Sequence, residues 1–345
     1  GESNIRRHII ENDWLEAIVQ LPNNLFYNTG ITTYIWILSN NKAANRKGKV
    51  QLIDASEIYQ KMRKSLGSKS YELTKEHIRE ITDIYLDFKE SEQSKLFDNS
   101  DFGYQKITVE RPLRLSCQFT QEKVDSLRFL EALRDEMEYI FDQFGEEVYT
   151  NISAHEEAIF KYWETNEIKV SPANKNKLFD TKFWDGQLAI MNAGQQLMNQ
   201  FGDEEFHDFN TFKVSLDKAI KSIGIKLGNS EKKQIINAIS WKNEDAERVV
   251  KKKEKDGTIH YEPDSDLRDA ENVPLLEDID IYFQREVVPH VPDAWIDYSK
   301  TTIGYEISFT KYFYKYQPLR SLNAITKDLI EVEKESDGLL KKILS

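Results

Sequence analysis

Residues Leu21 to Leu38 place the tightest constraint on what this chain can fold into: Leu-Pro-Asn-Asn-Leu-Phe-Tyr-Asn-Thr-Gly-Ile-Thr-Thr-Tyr-Ile-Trp-Ile-Leu. A short apolar run precedes the segment and a β-branched, aromatic run closes it, the pattern of two strands about a loop. The loop sets Phe26 and Tyr27 beside Asn28, Thr29 and Gly30, two large rings where turns normally carry small polar side chains. Such rings either fold back under their own hairpin or form a stacking platform for a flat ligand such as a base.

Around this segment, residues 14–21, 31–39 and 50–54 read as strands, after a helix over residues 5–11 with Ile5, Ile9 and Ile10 on one side and Ser3 or Asn4 as its cap. The polar linker between the second and third strands carries Lys42, Arg46, Lys47 and Lys49 and reads as an exposed loop or, alternatively, as a phosphate contact. Helical patterns then cover residues 57–66 and 74–94, the second opening on Thr74-Lys75-Glu76-His77. Residues 101–119 are extended, and Arg111 and Arg114 there are read as braces for neighbouring carboxylates ahead of phosphate contacts.

Residues 120–242 are mostly helical, with Val124, Leu127, Leu130, Leu133, Met137 and Ile140 forming an apolar stripe and Trp163, Trp184 and Trp241 serving as core anchors. A further helix opens at Ser230 and ends near Trp241. From Arg248 to Lys255 basic residues crowd together, and Asp256-Gly257 between two extended runs predicts a hairpin over about residues 246–262. Its lysines, Lys251, Lys252, Lys253 and Lys255, are either phosphate contacts or a solvated turn. Residues 275–287 read as a helix and the aromatic run 305–316 as extended, its rings a core layer or a base stack. The chain closes on a helix over about residues 319–344, in which Leu322, Ile325, Leu329, Val332, Leu339 and Ile343 recur at three- and four-residue intervals, the spacing of a seam for another helix.

Composition narrows the functional classes. At 345 residues the chain exceeds what one core usually organises, and 39% apolar with 31% charged residues fits a soluble globular protein. A net charge of −12 argues against a DNA-binding surface spread over the whole chain, because duplex affinity comes largely from cations neutralising phosphates. The single cysteine, Cys117, rules out an intramolecular disulfide and reads as buried packing, while six histidines without close ligand spacing predict no metal site. Apolar runs are strand-length, so no membrane span is expected and the predicted location is cytoplasmic.

Several blocks closely resemble the modification subunit of type I restriction-modification systems, an adenine-specific DNA methyltransferase family. They are Glu2-Ser3-Asn4-Ile5-Arg6-Arg7, Glu11-Asn12-Asp13, Glu16-Ala17-Ile18, Leu21 through Ile31, Lys49 through Ser56, Gly103-Tyr104 through Glu110-Arg111-Pro112-Leu113-Arg114, Tyr261-Glu262-Pro263-Asp264 with Leu267-Arg268-Asp269, and Val288 through Asp297. The resemblance implies a fold between α/β and mainly α: the C-terminal edge of a Rossmann-like class I methyltransferase sheet, mostly parallel, followed by a largely helical region. Residues 1–56 would be the last strands of that sheet with the base-stacking loop, 57–119 would pack on it, 120–318 would be the helical region with the basic hairpin, and 319–345 would be a helix for subunit assembly.

The family transfers a methyl group from S-adenosylmethionine to the exocyclic amine of adenine in double-stranded DNA, and it works with a specificity subunit and, in the full complex, a restriction subunit. By resemblance Phe26, and second Tyr27, stacks on the flipped base, with Asn28, Thr29 and Gly30 supporting the loop. Arg46 and Lys47 are candidate phosphate contacts with the hairpin lysines. The family's glycine turn and its Asn-Pro-Pro-Phe/Tyr motif precede the segment where this chain begins, and none of the eight prolines stands next to another. The chain is therefore expected to correspond to the carboxy-terminal part of that subunit, with no catalytic residue of its own, and to be inert alone; the alternative role is a non-catalytic module that docks the specificity subunit.

Overall fold

Leu15, Ala17, Ile18 and Val19 are all buried, so the strand that carries them has protein on both faces and the start of the chain is built around it. The computed structural model describes every residue except Lys315, Gln317, Pro318 and Ser345, and the side chains of those described except Glu333, Glu335 and residues 337–344. Helix α1 (Glu2–Glu11) leads into β1 (Leu15–Gln20), β2 (Tyr34–Leu38) and β3 (Lys49–Asp54). A hairpin of β4 (Gln60–Leu66) and β5 (Lys69–Glu72) precedes α2 (Lys75–Asp87), β6 (Ser94–Asp98) and β7 (Gly103–Glu110).

After β8 (Leu115–Cys117) come α3 (Gln121–Ser126), α4 (Arg134–Phe144), α5 (Glu156–Thr165), α6 (Pro172–Leu178), α7 (Thr181–Phe201), α8 (Phe209–Ile223) and α9 (Asn229–Ile239). Strands β9 (Ser240–Lys242), β10 (Val250–Lys253), β11 (Ile259–Tyr261) and β12 (Asp269–Pro274) follow. Helix α10 (Ile279–Tyr282), β13 (Trp295–Ile296), β14 (Thr302–Tyr305), α11 (Phe309–Phe313) and α12 (Leu322–Leu344) end the chain. Two units are assembled from separated stretches: Gly1–Lys106 with Asn272–Tyr282 and Thr301–Ser345, and Ile107–Glu271 with Phe283–Lys300.

The first unit is α/β. Its sheet runs β2-β1-β3-β6, with β1 and β3 parallel and the other two pairs antiparallel, so it is mixed rather than mostly parallel. On one face Ile18, Val50 and Leu52 pack with Ile10 of α1, Phe102 and Phe309; on the other Val19 and Ile53 pack with Ile81, Ile84 and Tyr85 of α2. Thr74 caps α2 by accepting from the His77 amide while the His77 ring accepts from the Thr74 amide, as its sequence predicts; such a cap contributes about 1 kcal/mol. Helix α1 starts earlier than expected and has no side-chain cap, and Ser3 Oγ instead accepts from the Tyr305 amide. Ile10 is buried but Ile5 is exposed.

Three further expectations fail for identifiable reasons. Residues 57–66 are not a helix: Gly67, at φ +62°, turns the chain so that Leu66 faces Lys69 and Gln60 faces Glu72 in a hairpin. The aromatic run 305–316 is not extended throughout. It contains α11, whose Phe309 is buried with Tyr305 in the core below the sheet.

In the second unit, the stripe from Val124 to Ile140 is not one helix. Val124 and Leu127 enter a core with Cys117, Phe119, Leu197 and Phe212, whereas Leu133, Met137 and Ile140 enter another with Trp163, Leu178 and Trp184. Two of the three tryptophans are core anchors: Trp163 is buried, and Trp184 is fully buried with its Nε1 donating to the Leu178 carbonyl at 2.8 Å, whereas Trp241 on β9 is only half-buried, with Lys123 Nζ 3.9 Å from its ring centroid. Cys117 is buried as expected, and burial pushes its thiol up to about 12.

Candidate functional site

The loop after β1 is held by its backbone, not by its rings. Asn24 sits at φ +54° and its carbonyl accepts from the Ser70 and Tyr71 amides of β5, at 3.0 and 3.3 Å. Its side-chain oxygen lies 2.7 Å from where a Cβ on Gly30 would stand, so a larger residue there would have to displace the Asn24 side chain. The Tyr27 carbonyl accepts from the Ser68 amide at 2.9 Å, and Gly67 approaches that carbonyl so closely that a Cβ would lie 2.7 Å from it. Thr29 Oγ1 accepts from the Ile31 amide at 3.3 Å, completing the turn in which Phe26 bridges to Thr29.

Held this way, the rings point out: Phe26 is 46% and Tyr27 58% exposed. Burying a Phe side chain is worth about 1.5–3 kcal/mol, and the loop forgoes a large part of it. Lys69 Nζ stands 5.3 Å from the Tyr27 ring centroid. The loop leaves the carboxyl end of β1, and the parallel β3 ends beside it with Gln20 opposite Asp54. Ligands of α/β sheets sit at that edge.

The linker before β3 turns two of its cations inward. Arg46 is buried: its guanidinium stands 3.3 Å from Glu16, donates to Gln51 Oε1 at 3.2 Å and to the Tyr85 carbonyl, and lies between the Tyr85 and Phe88 rings at 4.3 and 4.2 Å. Lys42 is buried too, donating to Asp13 at 2.6 Å and to the Lys49 carbonyl at 2.8 Å. Although burial raises the Asp13 carboxyl, Lys42, the Gly48 amide and Asn99 outweigh it and hold the group below the usual carboxylate range. Arg46 is therefore a structural cation, and the linker is not simply an exposed loop; Lys47 remains exposed.

In the second unit the predicted hairpin forms between β10 and β11, with Gly257 at φ +95° and the Asp256 carboxylate accepting from the Thr258 amide at 3.0 Å. All four lysines are exposed. Lys251 lies 3.8 Å from Glu262 and Lys252 3.0 Å from Glu254. Arg111 and Arg114 do brace a carboxylate, Asp293, at 4.0 and 3.0 Å. Buried Glu110 accepts from Arg268 Nε at 2.8 Å and Lys300 Nζ at 2.9 Å, and these cations hold it below its ordinary range against the opposing effect of burial. The sequence did not show that these separated stretches converge, because the pairs span up to 190 positions.

Along α12, Leu322, Leu329 and Val332 are 82%, 64% and 63% exposed and Ile325 is 40% exposed. The side chains of Leu339 and Ile343 lie outside the described residues. Among the described residues no helix is long and apolar enough to cross a membrane.

Residues 1–106, which hold the aromatic loop, match the N-6 DNA Methylase family. The chain is 34% identical over 108 residues to the MjaIX type I restriction enzyme methylase subunit of Methanocaldococcus jannaschii, covering 31% of this chain and 18% of the relative. This chain is similar to type I methylase subunits. The MjaVII methylase subunit of the same organism is 30% identical over 135 residues, 39% of this chain and 23% of its own length. The HindI methylase subunit of Haemophilus influenzae is 48% identical over 58 residues, 17% of this chain and 13% of that protein. The matches thus span less than a quarter of these methylase subunits. A solved type I methyltransferase subunit from Streptococcus thermophilus shares 28% identity over 29% of this chain and 20% of its own, with a TM-score of 0.26, too low to bear on the fold.

Proposed function

We propose that this chain belongs to a type I methylase subunit that moves a methyl group from S-adenosylmethionine to the exocyclic amine of adenine in double-stranded DNA, with a specificity subunit selecting the sequence. The observation that carries this reading is the pair of exposed rings on a backbone-braced loop, inside the family-matched stretch and at the carboxyl edge of the sheet. A base inside a duplex is out of reach of such chemistry and must be flipped out, losing its stacking. An aromatic face restores it, at about 1–3 kcal/mol for each base. In this reading Phe26 stacks on the flipped adenine and Tyr27 flanks it, while Asn28, Thr29 and Gly30 shape the turn.

The residues present do not fit the cofactor. Strands β1 and β3 run into Leu21-Pro22 and Ala55-Ser56, not into a glycine turn that brings backbone amides to a ligand, so no step through it is assigned to this chain. The chain alone is accordingly proposed to be inactive. The test is methylation by the assembled enzyme carrying Phe26→Ala or Phe26→Trp: roughly tenfold or greater loss for Ala with rescue by Trp is expected, from the stacking contribution. Equal activity of all three proteins would remove the stacking role.

A second reading, an assembly module that docks the specificity subunit, is favoured by the exposed seam of α12. Deleting residues 322–345 should then abolish co-purification with that subunit and leave the rest folded; undiminished co-purification would contradict it.

A further inference from the structure

We infer that the β4–β5 hairpin is a DNA-backbone clamp for the strand that carries the flipped base; this rests on the methylase reading above. The hairpin bears Lys61, Arg63, Lys64 and Lys69 against one acid, Glu72, whose carboxylate accepts from Gln60 Nε2 at 2.8 Å. Lys61, Arg63 and Lys64 are exposed, and among the described residues none of the three has an acidic partner. By contrast, the linker cations Lys42, Arg46 and Lys49 each meet a carboxylate.

Unpaired cations pointing to solvent are free to displace counterions from phosphates without first breaking an ion pair. Their placement gives the second argument. The hairpin is hydrogen-bonded to the aromatic loop through Ser68, Ser70 and Tyr71, and Lys69 reaches the Tyr27 ring, so the cations and the rings move as one piece. Its base is anchored by Tyr59 and Tyr71, whose ring centroids are 4.1 Å apart. A flipped nucleotide brings its own and its neighbouring phosphates alongside the ring that receives the base. The hairpin supplies cations there, and phosphate contacts of this kind position a duplex without reading its sequence.

The test uses the 345-residue chain itself and a fluorescent duplex of arbitrary sequence, comparing wild type with the triple variant Lys61→Gln/Arg63→Gln/Lys64→Gln. Anisotropy titrations over salt should show the slope of log affinity against log salt flattened by about 0.9 for each phosphate that is no longer neutralised; for three phosphates, wild type would lose about 40-fold more affinity than the variant between about 50 and about 200 mM. Melting should not change, since the three side chains are exposed and unpaired. An unchanged slope, or no salt-dependent binding by wild type, overturns the clamp, as does tighter binding of single-stranded RNA than of the duplex. The methylase reading fails separately: a flattened slope together with full methylation by Phe26→Ala would keep the DNA contact and reject base stacking.

Discussion

Two neighbouring loops of the first unit invert what their compositions suggest. The loop after β1 is aromatic and exposes its rings; the linker before β3 is basic and buries two of its cations. The difference lies in what each backbone is tied to. Phe26 and Tyr27 are held outward because Asn24 and Tyr27 commit their carbonyls to the β4–β5 hairpin, whereas Arg46 is drawn inward by Glu16, Gln51 and two aromatic faces. Polarity alone does not fix which way a side chain faces. Partners that are distant in sequence do.

The largest expected effect comes from breaking the inward side of this pair. Arg46→Ala leaves Glu16, itself largely buried, without its cation and should destabilise the first unit by about 3–5 kcal/mol, read by chemical denaturation. A change of only a few tenths would mean that Arg46 is solvated and available to phosphate after all.

A smaller effect sharpens the outward side. Gly67→Ala places a Cβ against the Tyr27 carbonyl at a left-handed position, which should cost about 1–2 kcal/mol and loosen the loop. Amide exchange at Ser68 and Tyr71 should accelerate with it; unchanged protection would show that the hairpin does not brace the rings.

The sequence was legible where the signal is local. Strands β1, β2 and β3, the Thr74 cap and the Asp256-Gly257 hairpin each announce themselves within a few residues. It misled where the decisive partner is remote. Gln-Lys-Met-Arg-Lys-Ser-Leu has no clean alternation, and the hairpin it forms is recognisable only from Gly67 and from its bonds to the loop that follows β1, far earlier in the chain. Phe309 helps bury the sheet from the far end of the chain, with its ring 5.1 Å from Tyr34, so reading residues 305–316 as extended missed a helix that only tertiary packing explains. For the candidate site, the ring pair was visible in sequence, and the basic clamp beside it was not.

The most direct measurement is a pair of thermal melts on the chain, Phe26→Ala beside Arg46→Ala. Phe26→Ala should melt within a degree or two of wild type while Arg46→Ala falls by roughly 10 °C. The reverse order, a large drop for Phe26→Ala and little for Arg46→Ala, would place the ring in the core and the cation in solvent, and would contradict the site.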